Sequence, residues 1–291
     1  GMHISMIACG FKKNSNLLTS PITFVSTANV ALFCGGKVDF ADIDKETINL
    51  SLREIKKKIK DKKYDVVIPV HFSGNAFDTK KLKKILDKKT KIIEDAAHGL
   101  GSKYKDGSMV GSCKYSDATV FSFHPVKTIA CGEGGIVTTN NINIYKKLLR
   151  LRSHGINKLD DTYLLKEQAY TKKRLNPWYY EMQELGYHYR MTEIQAALGI
   201  SQLNKINKFI LKRKIIAKKY YQQIHNKKCN FDVAQISNYS KSSNHLFIIK
   251  LNLNKIKKTR AQIMYDLQKR GIQTQVHYIP VPIHPFYKKF N

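Results

Sequence analysis

Apolar residues recur at two different spacings along the first half of this 291-residue chain, and the two spacings take turns. Continuous or alternating apolar stretches bounded by polar residues predict short strands at 17–18, 38–43, 65–70, 91–95, 118–123 and 135–139. Between them the apolar positions return every three or four residues. Residues 2–9 read as a short buried helix, and 24–33 as a helix ended by Gly35-Gly36. Residues 51–60 read as a basic amphipathic helix with Leu52, Ile55 and Ile59 on one side, and 79–88 as a Lys-rich helix. The 65–70 run is almost wholly apolar, as in a parallel strand buried on both faces. Strands alternating with amphipathic helices at this spacing predict an α/β fold with a largely parallel sheet and helices on both sides.

The second half changes character. From Leu148 to Arg190 the pattern loosens into polar, aromatic-rich sequence around Asn176-Pro177-Trp178-Tyr179-Tyr180, which reads as an excursion or lid. Thr192-Glu193 starts a long helix that runs through Tyr221, with a domain boundary placed near 205. That gives a large α/β domain over 1–204 and a smaller α+β domain over 205–291. In the smaller one, 245–251 reads as a strand, 259–270 as a helix stopped by Gly271, and 274–278 as a second strand.

Composition narrows the class. With 42% hydrophobic and 25% charged residues the chain is an ordinary globular one. Its 51 Lys plus Arg against 22 Asp plus Glu leave a net charge of +29, which attracts polyanions. The lysines are spread over most helices, however, rather than gathered on one face with exposed aromatics, so a nucleic-acid-binding role ranks low. The five cysteines are odd in number and form no close C-x-x-C pair, against a disulfide framework or a metal site. No apolar run reaches the roughly 20 residues that span a bilayer, and no basic segment precedes an apolar core at the N-terminus. We therefore expect a cytoplasmic protein with no membrane partner.

The densest chemistry lies between Ile92 and Asn140. A predicted strand ends in Glu94-Asp95-Ala96-Ala97-His98-Gly99, and a later one in Phe121-Ser122-Phe123-His124-Pro125-Val126-Lys127, followed by Gly132-Glu133-Gly134-Gly135. In open α/β sheets ligands bind just past the carboxyl ends of strands, so Asp95 and His98 would stand at the mouth of a crevice. An ordinary alternative for Asp95 is a helix N-cap, since Asp is a favoured cap and Ala96-Ala97 follow. Lys127 could be partly desolvated by Phe121, Phe123 and Pro125, which would make it a better nucleophile, or it could be one solvated lysine among many. A carboxylate, a hydroxyl (Ser122), a lysine and small glycines together suit pyridoxal 5′-phosphate: the lysine makes the Schiff base, the carboxylate keeps the pyridine nitrogen protonated, and the hydroxyl takes the phosphate.

These segments, in this order and spacing, resemble the signature of the DegT/DnrJ/EryC1/StrS family of sugar aminotransferases. Further stretches agree: 21–29, 185–199 and Val276-His277-Tyr278-Ile279-Pro280-Val281-Pro282, so the likeness covers essentially the whole chain. The resemblance implies a fold-type I, aspartate-aminotransferase-like architecture with bound pyridoxal 5′-phosphate. It implies that Lys127 carries the cofactor, Asp95 binds the pyridine nitrogen, His98 lies beside the ring and Ser122 donates to the phosphate. Phe24 falls where the family stacks an aromatic ring on the cofactor, against a plain core-packing role. His188 falls where many members have an Asn that reaches a partner subunit's phosphate, which implies a homodimer. His277 and Tyr278 fall in the segment that shapes the sugar-nucleotide site, against a role as mere strand termini.

Within the family the sequence is most similar to enzymes that place an amino group, taken from glutamate, at C4 of a UDP-linked 4-keto-6-deoxy-N-acetylhexosamine on the route to pseudaminic acid. Related dehydratases have His in place of the lysine, so Lys127 favours transamination. The resemblance also implies a phosphate-binding turn ahead of Gly1 and further helices beyond Asn291, so a chain truncated at both ends is expected. A truncated, impaired paralogue is the competing reading, and the intact Asp95, Ser122 and Lys127 count against it.

Overall fold

A computed structural model describes residues 1–157, 162–225, 231–234 and 241–290; Cys229 and Asn291 lie outside the described residues. Strands β1 (Asn16–Thr19), β2 (Lys37–Phe40), β3 (Val66–Ile68), β4 (Lys91–Asp95), β5 (Ala118–Ser122) and β6 (Gly135–Thr138) form one six-stranded sheet in the order β2-β1-β3-β4-β5-β6. Every neighbouring pair is parallel except β5 with β6, so the mostly parallel sheet expected from the sequence is present. Strand order reverses between β1 and β3, the place where open α/β sheets gather their ligands at the strands' carboxyl ends.

Alternation of side chains sorts the core into two layers. Leu17, Val66, Ile68, Ile93, Ala118 and Val120 face Met6 of α1 (Met2–Ala8) and Val30 and Ala31 of α2 (Ser26–Phe33). Their neighbours Leu18, Val67 and Ile92 face the other way, onto Ile55 of α3 (Leu52–Asp61) and Leu82 of α4 (Thr79–Ile85). Ser51 caps α3 by accepting from the Glu54 N–H, and Asp78 caps α4 through the Lys81 N–H. The lysines of both helices stay largely on the solvent side, while Ile55 and Leu82 are fully buried; truncating either to alanine would cost about 2–5 kcal/mol.

The loosened pattern from Leu148 onward needs a correction. Helix α5 (Ile142–Leu151) runs through it, capped by Asn141, with Ile144, Leu148 and Leu151 buried against Ile4 of α1. Beyond it come pieces of one turn or two residues: β7 (Ile156–Asn157) paired with β10 (Glu181–Met182), α6 (Lys166–Ala169), and β8 (Tyr170–Thr171) paired with β9 (Arg174–Leu175). The single long helix expected from 192 is two. A capping box between Thr192 and Gln195 starts α7 (Glu193–Leu203), and α8 (Ile206–His225) follows a break at Asn204-Lys205, where the chain tightens and the Lys205 N–H reaches Gln202 O, three residues back.

In the last third, β11 (Phe231–Val233) pairs antiparallel with β12 (Ile249–Leu251), and α9 (Arg260–Lys269) starts on a second capping box, Thr259 with Gln262. The strand expected from 245 begins at Ile249, because the Leu246 N–H goes to Ser73 O. The strand expected at 274–278 does not form, for no described strand pairs with that stretch. Near the end, Val281 and Tyr287 of α10 (Pro285–Lys288) pack on Ala28 of α2, and the Val281 N–H bonds Pro21 O at 2.8 Å. Among the described residues no helix is long and apolar enough to cross a membrane.

Candidate active site

The last two residues of β4 are both acids, and the strand's alternation sends them to opposite layers. Glu94 points with Ile92 toward α4, where Thr79, Tyr104, Ser116 and Thr119 all donate hydroxyl hydrogen bonds to it at 2.5–2.8 Å. Its Oε1 also lies 3.3 Å from His71 Nε2; His71 Nδ1 accepts from the Phe77 N–H, which puts the ring's proton on the Nε2 side. Burial alone would raise the Glu94 pKa, but the adjacent His71 ring and the converging donors outweigh it and hold it down at about 2.

Asp95 points with Ile93 toward α2. Its Oδ2 accepts from Thr27 Oγ1 at 2.7 Å; since that spends the Thr27 proton, Thr23 must be the donor in the 2.9 Å contact between the two threonines. Its Oδ1 accepts from the Ala97 N–H at 3.0 Å and closes a turn; no helix follows, so the helix N-cap weighed for Asp95 does not form. Asp95 is buried, at 8% exposure.

Past Asp95 the chain turns and buries His98. Its Nε2 lies 3.3 Å from the Tyr278 hydroxyl, and its ring stacks on His245, centroids 4.5 Å apart and planes 29° apart. Tyr278 is nearly parallel to it at 6.4 Å, and His277 and Phe72 approach at 6.4 and 6.0 Å in edge geometry. Burial, then the neighbouring His245, Lys127 and His277, push the His98 pKa well below that of a free imidazole. Burial and Lys127 lower His277, and burial pushes the Tyr278 hydroxyl up to about 12.

Lys127 sits in the loop joining β5 to β6. Its N–H bonds His124 O at 2.9 Å, and the loop closes through Cys131 N–H to Phe123 O at 3.0 Å. Phe121 and Phe123 are core residues beneath the loop, whereas Pro125 is exposed, so the predicted apolar surroundings are present only in part. Lys127 is half-buried; desolvation lowers its pKa while the Asp95 charge opposes that shift. Among the described residues no acceptor lies within hydrogen-bonding distance of Nζ. The same ammonium acts electrostatically on His98, His245 and His277, which places it in the cluster.

Ser122 ends β5, half-buried, with Oγ accepting from the His124 N–H at 3.4 Å and its own proton uncommitted. Its cross-strand partner Gly135 must be glycine, because a Cβ there would lie 2.7 Å from Phe121 O. Phe24 is 59% exposed beside Tyr278, at 6.2 Å, so core packing is not its role. His277 and Tyr278 terminate no strand. The fold therefore brings together Asp95, His98, Lys127, Phe24, His277 and Tyr278, with Ser122 at the next strand end. It does not bring in His188, which is exposed, bridged to Ser153 and edge-on to His154 at 5.5 Å.

Sequence reading missed Thr23, Thr27 and His245. The threonines carry a usable signal, a spacing of four across the start of α2. His245 carries none, since its neighbours are far away in sequence.

A mostly parallel sheet with an acid at one strand end and a half-buried, unpaired lysine after the next defines the class of pyridoxal-type aminotransferases. Comparison with known proteins agrees. Over 291 residues the chain is 38% identical to the UDP-4-amino-4,6-dideoxy-N-acetyl-beta-L-altrosamine transaminase of Campylobacter jejuni, covering 99% of this chain and 71% of that one. It superposes on Helicobacter pylori PseC, an aminotransferase involved in the biosynthesis of pseudoaminic acid, with a TM-score of 0.82 and 29% identity, covering 99% and 73% of the two chains. A putative sugar aminotransferase of Streptococcus pneumoniae, Spr1654 in its pyridoxal phosphate form, matches with a TM-score of 0.82 at 25% identity, covering 99% and 73%. The DegT/DnrJ/EryC1/StrS aminotransferase family matches residues 1–291, and the chain belongs to it. Aminotransferases of this family are pyridoxal-phosphate-dependent enzymes, as the motifs implied. The residues present fit that group: an unpaired lysine of lowered pKa, a buried carboxylate, a free hydroxyl proton, and two buried imidazole nitrogens, His98 Nδ1 and His245 Nδ1, without partners.

Proposed function

We propose that this enzyme moves an amino group from glutamate to the C4 ketone of a UDP-linked 4-keto-6-deoxy-N-acetylhexosamine, in pseudaminic acid or related nucleotide-sugar synthesis. The observation that carries the transaminase reading is Lys127, half-buried, without a hydrogen-bonding partner, and electrostatically coupled to Asp95, His98 and His277. The sugar and the nucleotide rest on the printed activity of the Campylobacter jejuni relative and on the likeness to PseC.

When bound, pyridoxal phosphate supplies an electron sink for the carbanion at the reacting carbon. In this reading Lys127 would hold the cofactor through Nζ, and in its neutral form the same amine would accept and return a proton at Nζ. Asp95, kept in place by Thr27, holds the pyridine nitrogen in its protonated form. Ser122 gives its free proton to the phosphate. His98 and Phe24 flank the ring, and His277 and Tyr278 border the sugar-nucleotide side. A lysine of lowered pKa is suited to the task, because its neutral fraction both attacks and accepts protons more readily.

His188 serves the phosphate of a partner subunit in a homodimer. Support comes from α7, which buries none of its residues and exposes Ile194 (83%) and Leu198 (45%), four residues apart on one face, an apolar pair of the kind that a second subunit covers. Residues 1–204 form the cofactor domain and 205–291 the smaller one, divided at the break between α7 and α8. A reducing cytoplasm suits the free Cys9, Cys34, Cys113 and Cys131.

An absorbance titration with pyridoxal phosphate tests this. The expected result is a visible band that borohydride fixes to Lys127, that Lys127→Ala abolishes, and that glutamate bleaches. A folded chain that gives no such band overturns the reading. Incubation of the glutamate-treated enzyme with candidate UDP-keto sugars then tests the acceptor, by mass spectrometry of the aminated product.

A further inference from the structure

His98 is held in an unusual way. Its Nδ1 is buried without a partner, and its Nε2 has a single long contact, 3.3 Å, to the Tyr278 hydroxyl. Hydrogen bonds therefore do little to set the plane of this ring. What remains is packing, and among the described residues the ring lying closest against it is His245, at 4.5 Å against 6.4 Å for the near-parallel Tyr278; His245 is itself 7% exposed and also has an unpartnered Nδ1.

His245 arrives on a segment built to dock there. Ser242 Oγ donates to Gly74 O at 2.9 Å, Ser243 Oγ donates to His98 O at 2.9 Å, and the Ser243 N–H reaches Ser102 Oγ at 3.1 Å. Gly74, at φ +90°, leaves the space that Ser243 occupies; a Cβ there would collide with the Ser243 hydroxyl. From the other side Arg213 of α8 donates through Nη1 to His245 O at 3.0 Å. The serine clasp thus grips the backbone of His98 while the next residues lay an imidazole on its side chain.

We propose that His245 is a positioning residue: carried in by the Ser242–Ser243 clasp, its ring fixes the plane of His98 beside Lys127 and shields that face from water. This deepens the functional reading, on which the role of His98 beside the cofactor rests. Burial, Lys127, Arg213 and His277 push the His245 pKa down to about 3, so the stack is one of two neutral rings, which can lie face to face without charge repulsion. The groups facing the pair are Lys127 after β5, Arg213 of α8, and His277 and Tyr278; Asp95 at the end of β4 acts on Lys127 and Tyr278.

The test is histidine-selective nitrogen NMR of the full chain, first without cofactor. In the parent, the His98 signals should stay single and unmoved across about pH 5–8. His245→Phe keeps a flat ring and should leave them so. His245→Ala opens the face, and His98 should then titrate, its apparent pKa rising by about 1 unit or more, with averaged tautomers. If His245→Ala does not fold, His245→Leu fills the volume without a flat face: His98 stays buried, but its signals should show averaged tautomers where the parent's are single. A folded Ala or Leu variant whose His98 signals match the parent's overturns the proposal, as does a Phe variant that behaves like Ala. With pyridoxal phosphate bound, the pH midpoint of the visible band should move in the Ala or Leu variant and not in Phe. The cofactor-free titration stands even if the parent shows no visible band, so failure of this proposal and failure of the functional reading are told apart.

Discussion

Glu94 and Asp95 are consecutive acids on one strand, and the two regions they face could hardly be treated more differently. On the α4 side, Glu94 receives four hydroxyl groups and faces His71, with nothing left over for a ligand. On the α2 side, Asp95 takes one threonine and one backbone N–H and looks into a cluster where His98 Nδ1, His245 Nδ1 and Lys127 Nζ have no partners. A buried charge that is fully satisfied holds the sheet together, whereas buried polar groups left open are places for chemistry. The fold tolerates the open side because the closed side, one residue away, locks the same strand end.

Substitutions on the two sides should separate these roles. Lys127→Ala has the largest expected effect: transamination falls by at least about 10⁴-fold, while the melting temperature moves by only about 2 °C or less, since no contact of Nζ is lost. Turnover assays beside thermal melts check this, and a large drop in stability would blur the comparison. Glu94→Ala should act in the opposite way. It strands His71 and the hydroxyls of Thr79, Tyr104, Ser116 and Thr119, at a cost of about 3–5 kcal/mol in denaturant unfolding.

Acid should expose both regions in sequence. His98 and His245 have folded pKa values below the unfolded imidazole value near 6.5, so the unfolded state binds protons first and stability declines as pH falls below about 6.5. For His245 the decline continues to about pH 3. Glu94, held at about 2, adds its own loss between the ordinary glutamate range near 4.5 and about pH 2. Replacing His245 by Phe should remove part of the first phase, and Glu94→Gln part of the second, when unfolding free energy is followed against pH. The smallest effect is expected of Thr27→Val, which removes one hydrogen bond to Asp95: about 1–2 kcal/mol of stability, with cofactor affinity reduced by about 10-fold or less. Equilibrium dialysis with pyridoxal phosphate measures the second number.

Much of this was legible in the chain. The strands around Glu94-Asp95 and Ser122, the helix starts near Ser51 and Thr192, and the lysine after β5 are local signals, and the structure has them where the spacing puts them. Errors came where local pattern and long-range contact compete. Residues 274–278 alternate like a strand but find no edge to pair with, and 277–278 instead border His98. In 245–251, Leu246 gives its N–H to Ser73 O instead of a strand partner. Helix α5 was hidden because its buried face, Ile144, Leu148 and Leu151, makes sense only against Ile4 of α1.

By itself the sequence determined the layer to which each strand residue belongs, because a period of two leaves only two faces and the apolar runs say which are buried. That was enough to put the Glu94-Asp95 pair at one strand end and Ser122 and Lys127 at and just past a later one. Tertiary structure alone decided that His98 would be clamped by His245 and bordered by Tyr278, and that Thr27 would hold Asp95. Those contacts join residues between 68 and 180 positions apart, and no local spacing encodes which distant loops a folded sheet will bring to its rim.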